Sequence, residues 1–123
     1  MKIAILSLLL SILCSHAQID LSSTNVVTWN AVTNDTGGTP LGTNVIYSLG
    51  LFNLGTGSPF YSAVSTTNEL PVTRFYDQMQ RDLSYEVRVK AQAFGYIDSD
   101  YSDTLLVRRP RGKAGKPVNV GVK

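Results

Sequence analysis

Tyr85–Gly95 reads YEVRVKAQAFG, and its alternation decides the fold. Tyr85, Val87, Val89, Ala91 and Ala93 fall on one face of an extended strand. Glu86, Arg88, Lys90 and Gln92 fall on the other. A strand with one apolar and one charged face belongs to a sheet that covers a core on one side only. The chain around it has 123 residues, 43% hydrophobic and 16% charged. That suits one globular domain rather than a disordered chain.

Other short strands are predicted on both sides. Gln18–Ser23 is a short one. In Asn25–Asn30, Val27 and Trp29 share a face and point to the core. Val45–Phe52 directs Val45, Tyr47, Leu49 and Leu51 inward. Phe60–Val64 is expected near a sheet edge. Asn68–Thr73 contains Pro71, so it is expected at an edge or to break there. Tyr101–Arg109 is the last strand of the body. Thr33–Thr43, dense in Asn, Asp, Gly and Pro, is a loop. No helical period occurs after residue 17. About seven strands, roughly ten residues apart, predict an all-β, seven-stranded antiparallel immunoglobulin-like sandwich.

Residues 1–17 have the pattern of a signal peptide. Lys2 is followed by the apolar run Ile3–Leu13, too short to span a bilayer comfortably. Ser15-His16-Ala17 predicts cleavage after Ala17. The alternative is a buried apolar segment of the fold. Leu13 before Cys14 argues against a lipid anchor there. Cleavage implies a secreted, periplasmic or cell-surface protein with no membrane attachment afterwards. It also removes Cys14 and His16, the only Cys and His. The remaining chain then has no disulfide, no Cys or His zinc site, no Cys nucleophile and no imidazole base.

The body resembles the fibronectin type III family from about Val26 to Val107. Trp29 falls where that family has its core tryptophan, and Tyr47 matches the aromatic of its third strand. Tyr85 matches its corner tyrosine. Val87, Val89, Ala91 and Gly95 match its sixth strand and following glycine, and Ser102 the serine that opens its last strand. Trp29–Leu41 looks most like bacterial and phage members. Met79 stands where the family usually has leucine, and the usual proline between it and Tyr85 is absent. No Arg-Gly-Asp triplet is present, so integrin-type adhesion is not implied. The resemblance implies a sandwich over residues 18–109 with Trp29, Tyr47, Tyr85, Val87 and Val89 in its core.

The residues offer little for catalysis. Ser and Thr lack a base, and Glu69 and Glu86, the only glutamates, show no sign of facing each other across a groove. No cofactor motif is present. Asp98, Asp100 and Asp103 form the densest acidic cluster. Calcium needs about six to eight oxygens and these lack a loop of the right spacing, so a solvated turn is expected and no metal is assigned. Binding is the better prospect. Phe60, Tyr61, Phe75, Tyr76, Tyr96 and Tyr101 cannot all be internal. Tyr96 and Tyr101, with Asp98 and Asp100, are candidate partner-contacting residues.

Charge is uneven. Gln18–Val107 has four basic and nine acidic residues, net −5, whereas Arg108–Lys123 has six basic and none acidic. Residues 110–123 read as a basic tail containing Gly and Pro, flexible or strand-donating. Its end, KPVNVGVK, alternates Val118, Val120 and Val122, which would suit an added strand on another copy. Six charges on an exported tail do not make a nucleic-acid binder. The sequence thus predicts a non-catalytic, secreted or surface module for protein–protein adhesion, spacing or assembly, self-association included. The alternative is a carbohydrate-binding accessory module that uses loop aromatics.

Overall fold

A computed structural model describes residues 17–112 and 114–123. The predicted signal segment, with Cys14 and His16, lies outside the described residues. The rest is nearly all β. Seven strands are found among the described residues: β1 Ile19–Asp20, β2 Val26–Thr28, β3 Val45–Asn53, β4 Tyr61–Ser65, β5 Glu69–Pro71, β6 Ser84–Ala93 and β7 Leu105–Arg108. Five form one sheet in the order β1-β7-β6-β3-β4, and two form a second, β2-β5.

β6 is the stretch Tyr85–Ala93 with Ser84 added, and its alternation is complete. Tyr85, Val87, Val89, Ala91 and Ala93 are buried, and the residues between them are half-covered. It runs antiparallel to β3, from Asn53↔Tyr85 to Val45↔Ala93. Tyr47, Leu49 and Leu51 of β3 thereby join its apolar face, with Val45 packed at the margin. Val27, Trp29, Leu70, Val72, Phe75 and Met79 cover that face from the other side. Trp29 is 1% exposed, and its ring lies 5.4 Å from that of Tyr47. Met79 is buried, as its apolar, adaptable side chain allows.

Several expectations need correction. The sheet is mixed and not purely antiparallel, because β1 pairs with β7 in parallel (Ile19↔Val107, Asp20↔Arg108). The last strand starts at Leu105 rather than Tyr101. Residues 99–102 still lie along β6, but serines make the pairing. Ser99 N–H donates to the Ala91 carbonyl and Ser99 Oγ accepts from Ala91 N–H at 2.7 Å. Ser102 does the same with Val89, at 2.8 and 3.0 Å. Three residues of this segment therefore match two of β6, which no regular ladder permits. Glu86 does not stand in solvent. Its carboxylate is covered on the outer sheet face and accepts from Arg88 Nη2 at 2.6 Å.

The chain also contains two short 3-10 turns, Val72–Arg74 and Tyr76–Gln78, which no periodicity announced. They bury Phe75 and lead to the corner before β6. There the Tyr85 hydroxyl accepts from Gln80 N–H at 2.8 Å, fixing the corner to the strand that follows it. The outer face of β3 holds a second apolar group. Phe52 is fully buried there under the edge of Tyr101, whose ring lies 5.3 Å away, and under the Arg88 guanidinium at 4.7 Å. Gly50 makes the room, since a Cβ on it would lie 2.8 Å from the Phe52 ring.

Candidate binding surface

The strand order places three connections at one pole: residues 30–44 between β2 and β3, 66–68 between β4 and β5, and 94–104 between β6 and β7. The first is a loop, as its composition predicts, but an ordered one. Asp35 N–H donates to the Thr39 carbonyl and Leu41 N–H to that of Thr33. Asp35 Oδ1 accepts from Gly37 and Thr39 N–H, both at 2.9 Å. Its base is held by the Tyr47 hydroxyl, which accepts from Val32 N–H at 2.9 Å. The second is laced by Ser65 Oγ, which donates to Glu69 O at 2.7 Å, and by Asn68 Nδ2, which donates to Trp29 O at 3.0 Å. Between them lies an open dish of about 470 Å³, floored by Val32, Leu41, Val45 and Tyr47 and rimmed by Thr33, Thr67 and Asn68.

Beside the dish rises the tip of the third loop. Val45, in the dish, is paired with Ala93, the last residue of β6. Tyr96 N–H then bonds back to the Ala93 carbonyl at 3.0 Å, with Gly95 at φ 83°, a conformation glycine adopts freely. The turn leaves Phe94 90% exposed, Ile97 84% and Tyr96 37%. The far side of the loop is pinned to β6 by Ser99 and Ser102. The apolar tip is thus held on an ordered base.

The sequence-predicted residues divide here. Tyr96 stands on the tip. Tyr101 does not; it closes the Phe52 cluster, and Lys90 Nζ lies 5.3 Å from its ring centroid. Asp98 faces Lys90 Nζ at 3.6 Å and accepts from Gln92 at 3.1 Å, so it tethers the loop to the strand. Asp100 lies on the exposed side of the same loop. Among the described residues no three His, Cys, Asp or Glu side chains converge on a possible metal position. Of the other aromatics, Phe75 is buried. Tyr61 and Tyr76 are half-buried, and their hydroxyls donate to the Arg74 and Leu21 carbonyls. Phe60 is partly exposed against Tyr85.

Phe94 and Ile97 are not among the residues that the sequence singled out. The signal for Phe94 was available. It continues the outward register of Glu86, Arg88, Lys90 and Gln92, away from the core face of the sheet.

The basic tail also divides. Arg108 makes a bidentate pair with Asp20, both bonds at 3.0 Å, and that carboxylate raises the guanidinium pKa by hydrogen bond first and charge second. Arg109 donates to the Tyr76 and Met79 carbonyls, and Arg111 meets Asp82 at 2.6 Å. These three cations close the end of the body opposite the loop pole. Val118, Val120 and Val122 are exposed, in no strand. No family model matches the chain, and no curated protein matches it.

Proposed function

We propose that the chain is a non-catalytic, immunoglobulin-like binding module of the fibronectin type III kind, exported, that docks a protein partner at its loop pole. One observation carries this reading: Phe94 and Ile97 stand almost fully exposed on a loop bonded firmly to the central strand. A rigid scaffold presenting apolar side chains on a short loop is the usual construction of a docking site. Exposed large apolar groups of this kind serve as anchors when a partner offers a pocket. The type III assignment draws on the buried Trp29, the Tyr85–Gln80 corner and the strand order.

A protein partner fits better than a sugar. Ile97 has no flat face to stack on a pyranose, and Tyr101 is committed to Phe52. The partner's surface is expected to be an apolar pocket with basic neighbours, because the body is acidic.

The test pairs two measurements on the folded chain. Wild type and Phe94→Ser/Ile97→Ser are immobilised and exposed to surface extract of the source cells, and both are applied to a glycan array. A protein retained by wild type and lost in the double variant is the expected result. Glycan binding abolished by Tyr96→Ala would overturn the reading in favour of a carbohydrate module. A retained protein indifferent to the double variant would remove the tip from the site.

A further inference from the structure

Among the described residues the two sheets have four strand edges, and three are protected. β1 is two residues long, and Asp20 holds it to Arg108. On β4, the outward Val64 carbonyl accepts from Arg74 Nη2 at 3.3 Å. β5 ends at Pro71, which has no N–H, and its Glu69 carbonyl accepts from Ser65 Oγ. Short strands, proline and capping cations are the usual ways to stop a sheet from adding another strand.

β2, three residues long, carries neither a proline nor a capping side chain on its outer side among the described residues. Its bonds to β5 run through alternate residues. Asn25 O accepts from Val72 N–H at 2.9 Å, Val27 lies opposite Leu70, and Trp29 N–H donates to Asn68 O at 3.1 Å. The backbone groups of Val26 and Thr28 therefore point to the other side. Among the described residues no strand pairs with them there. Along that side runs a hollow of about 100 Å³, lined chiefly by Ile19, Leu21, Val26, Val27, Val72 and Leu105. Among the described residues β1 pairs with β7 and none covers this flank of β2.

We infer that this edge receives residues 116–123 of a second copy of the chain as an added strand. An extended KPVNVGVK places Val118, Val120 and Val122 on one face, two residues apart, as a strand entering a sheet must. These side chains are 72%, 86% and 101% exposed, and no described residue fills the hollow. Backbone bonds to Val26 and Thr28 would hold the strand, and the valines would fill the hollow. Lys116 and Lys123 bracket them and meet a body, residues 18–109, of net charge −3. Asn119 sits at φ 54°, a conformation asparagine enters and leaves readily, so extending the tail requires little rearrangement. Tail and edge are different surfaces, so the contact is heterologous and propagates head to tail. This assembly is separate from docking at the loop pole.

Two variants test it. Thr28→Pro removes an outward N–H from β2 without touching its bonds to β5. Val120→Asp spoils the donated strand and leaves the edge intact. Light scattering over a wide concentration range is expected to show wild type growing from monomer to chains and each variant alone staying monomeric. Mixed, the two variants should form a 1:1 dimer that grows no further, since one supplies a tail and the other an edge. That complementation shows that Val120→Asp, which supplies the edge, is folded, and a cooperative thermal transition checks the same for Thr28→Pro. Wild type that stays monomeric, chains that persist in both variants, or a mixture without dimer would each overturn the inference. So would association that ignores the tail and vanishes when residues 1–17 are removed, because the N-terminal segment would then be the occupant.

Discussion

The two poles of the molecule are built from the same strands and treat backbone and apolar groups in opposite ways. At the corner pole the Tyr85 and Tyr76 hydroxyls, Arg109 and the Arg111–Asp82 pair bind the turns to the strands. Phe75 and Met79 are buried beneath them. At the loop pole the bonding is as dense at the base, through Tyr47, Asn68, Ser99 and Ser102, yet Phe94 and Ile97 stand outside it. The exposed apolar groups are therefore not a sign of a loose end. They rest on order that could have covered them.

The largest test asks whether the core beneath the loop pole is as tight as that beneath the corner. Trp29→Ala removes the largest buried side chain and its contact with Tyr47, and is expected to cost about 3–5 kcal/mol in chemical denaturation. Phe75→Ala, under the corner pole, should cost about as much. A Trp29→Ala chain with near-wild-type thermal stability would break the comparison, since the loop pole would then be soft and the exposure of its tip uninformative.

A smaller effect sharpens the corner. Tyr85→Phe keeps the ring in place and leaves Gln80 N–H without its acceptor. The expected loss is about 1–2 kcal/mol, the usual cost of orphaning a half-buried donor. Tyr96→Phe at the opposite pole, where no described residue bonds the hydroxyl, should change stability by less than about 0.5 kcal/mol. Equal losses at both positions would mean that the Tyr96 hydroxyl has a structural partner of its own.

What could be read from the sequence follows the same division. β6, β3 and the inward set Val27, Trp29, Tyr47, Val87 and Val89 were legible because a one-sided sheet imposes a period of two. Tyr85 was legible because a tyrosine opening a central strand can bury its ring and bond its hydroxyl in the corner, and Met79 only through the family resemblance. Parallel pairing of β1 was not, since two residues carry no period and their partner is decided by tertiary contacts. Nor was the shortened β7. Tyr101 to Thr104 reads as strand because it does run along β6, but Ser99 and Ser102 hold it there with side-chain oxygens in place of a regular ladder. Tyr101 was read as a loop aromatic because its partner, Phe52, buries itself on the outer face, against the sense of the alternation. The cations of the tail looked free because their carboxylates, Asp20 and Asp82, lie far away in sequence.

The smallest expected change in stability carries the most functional weight. Phe94→Ser and Ile97→Ser each remove an apolar side chain that buries almost nothing in the single chain. Neither backbone takes a strained conformation, and the turn is closed by Tyr96 N–H and the Ala93 carbonyl, which both substitutions leave in place. Stability should therefore stay within about 0.5 kcal/mol of wild type. Affinity for a protein docking at this pole should instead fall by about tenfold or more, because the lost area matters only when a partner covers it. A stability loss of about 2 kcal/mol would mean that these side chains pack within the chain, and the tip would lose its standing as a surface kept for a partner.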